Sequence, residues 1–195
     1  MLRKMFYAAA VLAFTVSLAL PQGKGGGGKG APKGPGMALT SPDIQDGGII
    51  DDKYTQAVPM PISPKLEWTN VPMATESFVL IMHDPDNALN KGTDDVLHWL
   101  VFNIPGTARS LAGSMSADPT LPDGTIQAKS LRGTPGYMGP GNAAINPYHH
   151  YTWELYALDA KLMLGPDATR ADVMKAMEGH TVGKGVLVGR FKRPQ

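Results

Sequence analysis

Short apolar runs, each closed by proline, glycine or another turn-forming residue, constrain the fold of this chain more than any other feature. Runs rich in β-branched and aromatic side chains, of about four to eight residues, are typical of strands. We predict strands over Ile49–Tyr54, Leu66–Trp68, Ser77–Met82, His98–Ile104, Thr125–Leu131, Tyr151–Leu158 and Val186–Phe191. Because these segments do not alternate with helices, they indicate a β-sandwich or a β-barrel.

One segment near the C-terminus, Thr169–Glu178, is predicted to be a helix. Thr169 is a favourable N-cap, and Asp172 stands three residues later, as in a capping box. Met177 falls at helical spacing for core packing, and Gly179 follows as a C-cap. We therefore expect a peripheral helix packed on a mainly β domain.

Residues 1–20 are typical of an export signal, with Arg3 and Lys4 ahead of the uncharged stretch Ala8–Leu20. That stretch has about 13 residues, whereas a membrane span needs roughly 20. We expect cleavage after Ala19, a periplasmic or secreted protein and no stable membrane span after cleavage. An apolar anchor that is not cleaved is the alternative.

Residues 21–36 are rich in glycine, lysine and proline, a composition that favours a disordered linker. Residues 37–195 are the predicted folded domain. Residues 1–36 hold five of the 18 basic residues and none of the 17 acidic ones, so the domain has a formal charge near −4. This charge argues against a nucleic-acid partner. The absence of cysteine excludes disulfides and thiol chemistry.

Two polar positions stand at the ends of neighbouring apolar runs. Asp84 follows the run that ends at Met82, and His98 opens the next one. If these strands are neighbours, the carboxylate lies close to the imidazole, raises its pKa and favours an imidazolium that suits an anion. A buried histidine that is hydrogen-bonded to backbone, without a functional role, is the alternative.

A second group of polar residues lies in and after a glycine-rich loop. Gly139–Asn142 can bring backbone N–H groups to a ligand. Strand alternation puts His149 and Tyr151 on one face and His150 on the other. Histidine and aspartate in one pocket could also hold a metal ion, but the spacing matches no metal-binding motif, so we expect no metal. No nucleophile elbow or phosphate-binding loop is present.

The order of the motifs resembles the phosphatidylethanolamine-binding protein family, and in particular its bacterial, Raf kinase inhibitor-like branch. The resemblance covers residues 39–193. Its motifs are Asp46–Ile50, Ser63–Trp68, Asp84–Asp86, His98–Pro105, Gly136–Pro140, His149–Tyr151, Leu155–Asp159, Ala176–His180 and Gly189–Phe191. Two stretches depart from the family pattern, since Asn87–Leu89 and Gly141–Ala143 lack prolines that are usual there. These departures predict a less rigid pocket rim.

The resemblance implies a sandwich of two antiparallel sheets with Greek-key topology and short peripheral helices. It also implies a small anion pocket for a phosphate or a phospholipid headgroup, in a protein that is not an enzyme and carries no cofactor. The implied ligand-binding residues are Asp84, His98, Gly141, His149 and Tyr151, and the implied supporting residues are Asp86, Trp99 and Pro140.

Two other functions stay open at this point. The chain could be a protein-interaction module that inhibits a protease or another enzyme, in which case a surface loop such as Asn90–Asp95 would carry the contact. A metal-assisted hydrolase is the less favoured alternative. The main expectation remains an exported, non-enzymatic binding protein.

Overall fold

The structure, a computed structural model, describes residues 36–195. The predicted signal 1–20 and the predicted linker 21–36, apart from Gly36, lie outside the described residues. The described elements are β1 (Ala38–Thr40), β2 (Gly48–Ile49), a 3₁₀ turn (Asp52–Tyr54), β3 (Leu66–Thr69), β4 (Ser77–Asp84), β5 (Val96–Pro105), β6 (Ser110–Leu111), β7 (Ile126–Ala128), β8 (His149–Leu158), α1 (Arg170–Ala176) and β9 (Thr181–Phe191).

The strands form two sheets that pack on one another. The larger sheet has the order β2-β9-β8-β4-β5-β7, and the smaller has the order β1-β3-β6. Strands β4, β5, β8 and β9 pair antiparallel with their neighbours, whereas the short β2 runs parallel to β9. The prediction of a mainly β sandwich with a helix near the C-terminus is therefore confirmed. Within residues 36–195, no helix has the length and apolarity that a membrane span requires.

Strand β4 is buried on both of its faces, which explains why its sequence is almost continuously apolar. On the inner face, Leu80 packs in a core cluster with Trp68 of the smaller sheet. On the outer face, Ile81 packs in a second cluster with Val173 of α1. The helix is thus the outer cover of the larger sheet.

Several predicted boundaries differ from the structure. The predicted strand Ile49–Tyr54 is wrong beyond Ile49, because Asp51 caps a 3₁₀ turn by accepting the N–H of Lys53. The predicted strand Thr125–Leu131 shortens to β7. Strands β4, β5, β8 and β9 are longer than predicted, because backbone pairing with the neighbouring strands continues past the predicted ends.

The helix prediction is confirmed in its capping. The Thr169 side chain accepts the N–H of Asp172, and the Asp172 carboxylate accepts the N–H of Thr169, so both halves of the capping box are present. The helix ends at Ala176, two residues before the predicted end. Gly179 then takes a φ of +81°, which glycine adopts without strain.

Candidate ligand-binding site

The candidate site lies where β4, β5 and β8 meet at one end of the sandwich. Asp84 is the last residue of β4, and the register that pairs His83 with Thr152 brings Asp84 beside Tyr151. On the other side of β4, Trp99 pairs with Met82 and Leu97 with His83, so a bulge contains His98. These register relations bring polar side chains from three strands to one opening.

A cavity of about 440 Å³ opens at this end. Four of the five predicted ligand-binding residues line it: Asp84, His98, Gly141 and Tyr151. His149 does not line the cavity wall but contacts Asp84. Asn87, Asn142 and Ala143, which belong to the predicted rim segments, also line it. The sequence analysis assigned no pocket role to the remaining lining residues, which are Gln56, Val96, Leu131, Arg132 and Met138.

Asp84 lies at the floor of the cavity and is only 1 % exposed. Its carboxylate accepts hydrogen bonds from the N–H of Asp86 at 3.0 Å, from Nδ2 of Asn87 at 2.7 Å and from Nδ1 of His149 at 2.9 Å. Three donors thus surround one buried carboxylate at the floor of the cavity, and Asp84 holds His149 in place.

Asp86 has a supporting position outside the cavity wall. Its Oδ2 accepts the backbone N–H of His150 at 2.6 Å and the ring Nδ1 of the same residue at 2.9 Å. Partial burial raises the pKa of Asp86, but the two hydrogen bonds from His150 outweigh burial, and the pKa falls below its usual value. Asp86 thus fastens the turn after β4 to the start of β8, and His150 is exposed, as alternation predicts.

His98 is buried, and its ring Nδ1 donates to the carbonyl oxygen of Met138 at 2.8 Å. Burial lowers the pKa of His98, and this effect exceeds the raising effects of the Met138 carbonyl and of the Asp84 charge. The expected imidazolium is therefore wrong, because desolvation outweighs the nearby carboxylate. In the neutral ring the proton sits on Nδ1, so Nε2 is a hydrogen-bond acceptor.

Tyr151 forms the wall next to His98, with their ring centroids 5.1 Å apart in an edge-to-face arrangement. Burial and the Asp84 charge raise the pKa of Tyr151 far above its usual value, against the lowering effect of the N–H groups of Gly141 and Asn142. The phenol is thus neutral and keeps its donor hydrogen. The glycine loop does bring backbone N–H groups to this hydroxyl.

The other two predicted supporting residues lie behind the cavity. Nε1 of Trp99 donates to Oε1 of Gln127 at 2.8 Å, inside the core. The Pro140 carbonyl oxygen accepts the N–H of Gln56 at 2.7 Å, and Nε2 of Gln56 donates to the Gly139 carbonyl oxygen. A Cβ at Gly141 would lie 2.5 Å from that Nε2, so a larger residue there would require the Gln56 side chain to move.

Three side chains next to the cavity have the chemistry of metal ligands. One ligand atom each from Asp84, Asp86 and His149 lie within 4.8 Å of one another. The same atoms already hydrogen-bond among themselves and to their neighbours, as described above. A cation at this point would have to replace the hydrogen bond between Asp84 and His149.

Comparison with known proteins relates this site to a described family. A family model described as phosphatidylethanolamine-binding protein matches residues 40–192. The chain belongs to the phosphatidylethanolamine-binding protein family. Among its relatives in that family, a UPF0098 protein of Methanothermobacter thermautotrophicus is 39 % identical over 157 residues, which are 80 % of this chain and 99 % of the relative. The UPF0098 protein YbhB of Escherichia coli is 32 % identical over 152 residues, covering 75 % of this chain and 89 % of YbhB.

Solved structures of the phosphatidylethanolamine-binding protein family have the same fold. A family homologue from Chlamydia trachomatis superposes with a TM-score of 0.71 at 29 % identity and covers 82 % of this chain and 99 % of its own. Escherichia coli YbcL also gives a TM-score of 0.71, at 25 % identity, and covers 82 % of this chain and 100 % of its own. These relatives agree with the bacterial branch named above.

Proposed function

We propose that this protein binds a small phosphate-bearing ligand in the cavity, without chemical turnover, and that the ligand is a phospholipid headgroup or a compound of the same chemistry. We further propose that the protein acts after export, in the periplasm or outside the cell. The observation that carries the proposal is the convergence of His98, Tyr151 and the Gly141–Asn142 backbone on one cavity.

The charge distribution favours a ligand that carries both an amine and a phosphate. The floor of the cavity is the Asp84 carboxylate, and the exposed rim carries the Arg132 guanidinium. An ammonium group matches the floor, and a phosphate matches the rim together with the neutral donors on the wall. A simple anion would be repelled by Asp84, so a zwitterionic headgroup fits better than inorganic phosphate.

A non-enzymatic role is proposed because, among residues 36–195, the side chains that line the cavity include no activated nucleophile. The polar residues on its wall are a neutral tyrosine, a neutral histidine and amide groups, and the buried carboxylate is held by three donors. Such groups bind and orient a ligand. The relatives that match this chain are named as UPF0098 or phosphatidylethanolamine-binding proteins.

Titration calorimetry with phosphoethanolamine and with inorganic phosphate tests the proposal. The variant His98→Asn retains a donor near the Met138 carbonyl but removes Nε2, the ring nitrogen of this cavity-lining residue that does not bond to Met138. We expect it to bind phosphoethanolamine about tenfold more weakly, which is the effect of losing one hydrogen bond from the charged ammonium group of the ligand to the Nε2 acceptor. The matched control is His180→Asn, since His180 is exposed and pairs with Asp159. No binding by the parent protein, or equal binding by both variants, would disprove the proposal.

A further inference from the structure

Two exposed apolar side chains flank the mouth of the cavity. Leu131 lines the cavity and is 55 % exposed. Ile145 is 92 % exposed and stands two residues after Ala143, which also lines the cavity. Single exposed apolar residues are common on protein surfaces, but here one stands on each of two segments that border the same opening.

Both side chains stand on closed turns. The turn that carries Leu131 is closed by the N–H of Gly133, which donates to the Ser130 carbonyl oxygen, and by the N–H of Leu131 itself, which donates to the Leu97 carbonyl oxygen of β5. Gly133 takes a φ of +79° at the end of this turn. The backbone therefore fixes Leu131 at the rim.

The turn that carries Ile145 is closed by three hydrogen bonds. The N–H of Asn146 donates to the Ala143 carbonyl oxygen, and the Asn146 side chain donates to Oδ1 of Asn142. Nδ2 of Asn142 donates in turn to the Pro147 carbonyl oxygen at 2.7 Å. Because these bonds are internal to the turn, they hold the turn in shape while the Ile145 side chain stays exposed.

One cation lines this opening, and two more stand in the C-terminal segment that bonds to its rim at Asn142. Arg132 lines the cavity, the N–H of Arg193 donates to the Asn142 carbonyl oxygen, and Nζ of Lys192 lies 5.0 Å from the centroid of the Tyr148 ring. None of the three has a salt-bridge partner among residues 36–195. Of the nearby carboxylates, Asp84 is buried and Asp86 is paired with His150. Asp52 lines a neighbouring depression together with Lys192 and Arg193, and its negative charge offsets one of these positive charges.

We propose that this mouth docks on an anionic phospholipid surface, with the apolar side chains of Leu131 and Ile145 entering the headgroup region and the three cations facing lipid phosphates. Apolar side chains among cations bind a bilayer interface through buried area and attraction to anionic lipids. The apolar residues protrude singly from turns and do not form a groove that would hold a peptide. The inference deepens the proposed function, since docking brings the cavity to a headgroup.

A probe at Ile145 tests insertion directly. The chain has no cysteine, so Ile145→Cys accepts one environment-sensitive dye at one site. The matched control is Met73→Cys, because Met73 is fully exposed and lies close to Ser77, at the end of β4 away from the cavity. Both variants are made in the full chain, so residues 1–36 contribute equally to each.

The vesicles contain phosphatidylglycerol and phosphatidylcholine in equal parts. We expect a blue shift of the dye at position 145, and quenching of that dye by a quencher in the acyl region, but neither effect at position 73. No shift at position 145, or the same shift at both positions, overturns the proposal. The proposal is also overturned if protein from a cell-envelope extract shields the dye at position 145 and vesicles do not. That result points to a protein partner.

Charge variants separate docking from headgroup binding. We expect Lys192→Gln to reduce vesicle binding about fivefold, which is the effect of one cation near an anionic surface. His180→Asn, outside the cavity, should leave vesicle binding unchanged, whereas His98→Asn should weaken phosphoethanolamine binding. If His98→Asn has no effect on phosphoethanolamine and Lys192→Gln still weakens vesicle binding, the docking surface stands and the proposed ligand site fails. Vesicle binding that does not respond to Lys192→Gln overturns the docking surface instead.

Discussion

The ring of His149 and the carboxylate of Asp84 are joined across neighbouring strands, with Nδ1 donating to Oδ2 over 2.9 Å. Both side chains are largely removed from solvent, at 13 % and 1 % exposure. This bond ties the first residue of β8 to the last residue of β4, at the edge of the cavity. The geometry of the cavity floor therefore depends on a single carboxylate.

Replacing this carboxylate by its amide should destabilise the fold. In Asp84→Asn, one of the two oxygens becomes an NH₂ group that faces donors from Asp86, Asn87 or His149. We expect the free energy of unfolding to fall by about 1–3 kcal/mol, because a buried donor loses its acceptor. Urea unfolding measures this change. Asp167→Asn, at an exposed site, is the control, and an equally small effect in both variants would contradict the prediction.

The stability of the protein should fall as the pH is lowered through the range of histidine titration. Burial lowers the pKa of His98, so the unfolded chain takes up a proton at a higher pH than the folded protein. The stabilising contribution is fully present above the ordinary pKa of about 6.5 and is lost as the pH falls through the lowered pKa. When the pH is lowered from about 8 to 5, the melting temperature should therefore fall less in His98→Asn than in the parent protein. Parallel curves for the two proteins would show that His98 does not titrate as described.

A methyl group at position 141 should disturb the loop through one neighbour. In Gly141→Ala the new Cβ meets Nε2 of Gln56, which must move and give up its 2.7 Å bond to the Gly139 carbonyl oxygen. We expect a loss of about 1 kcal/mol in urea unfolding. In the background Gln56→Ala the same substitution should have little effect, because the clash is gone. If the double-mutant cycle shows no coupling energy between positions 56 and 141, the strain does not arise from the contact with Gln56.

Purified protein should contain no stoichiometric metal. Asp84, Asp86 and His149 have the residue types for a metal site, but Nδ1 of His149 carries the proton that it donates to Asp84. A cation would need that nitrogen deprotonated and would compete with the three donors around Asp84. Elemental analysis after dialysis, with and without added Zn²⁺, measures the metal bound per protein molecule. One bound equivalent that disappears in His149→Ala would establish a metal site.

The long strands were predictable because their apolar sequence reflects burial, on one face for β8 and on both faces for β4. The short β3 was predicted too, but the bounds of β2 and β7 were not, because these two strands are defined by pairing with a distant partner and not by local composition. The capping box of α1 was predictable because it depends on residues three positions apart.

The candidate site, too, was predictable only where the local sequence carries the signal. The types of residue at Asp84, His98 and Tyr151 pointed to one pocket, and the structure does bring them to one cavity. The protonation of His98 was not predictable, since it depends on how deeply a bulge in β5 is buried. Gln56 carries no local signal, because it reaches the cavity only through its bonds to the distant Gly139–Pro140 backbone.

Strand β4 connects the two core clusters and ends at Asp84, so its amide hydrogens should exchange with solvent only when the whole domain opens. The turns that carry Leu131 and Ile145 are closed by a few local bonds and can open separately. The cavity end should thus combine the slowest-exchanging part of the molecule with segments that exchange faster. Under the proposed function, substitutions in these turns would change the ligand preference and leave the core that positions the carboxylate unchanged.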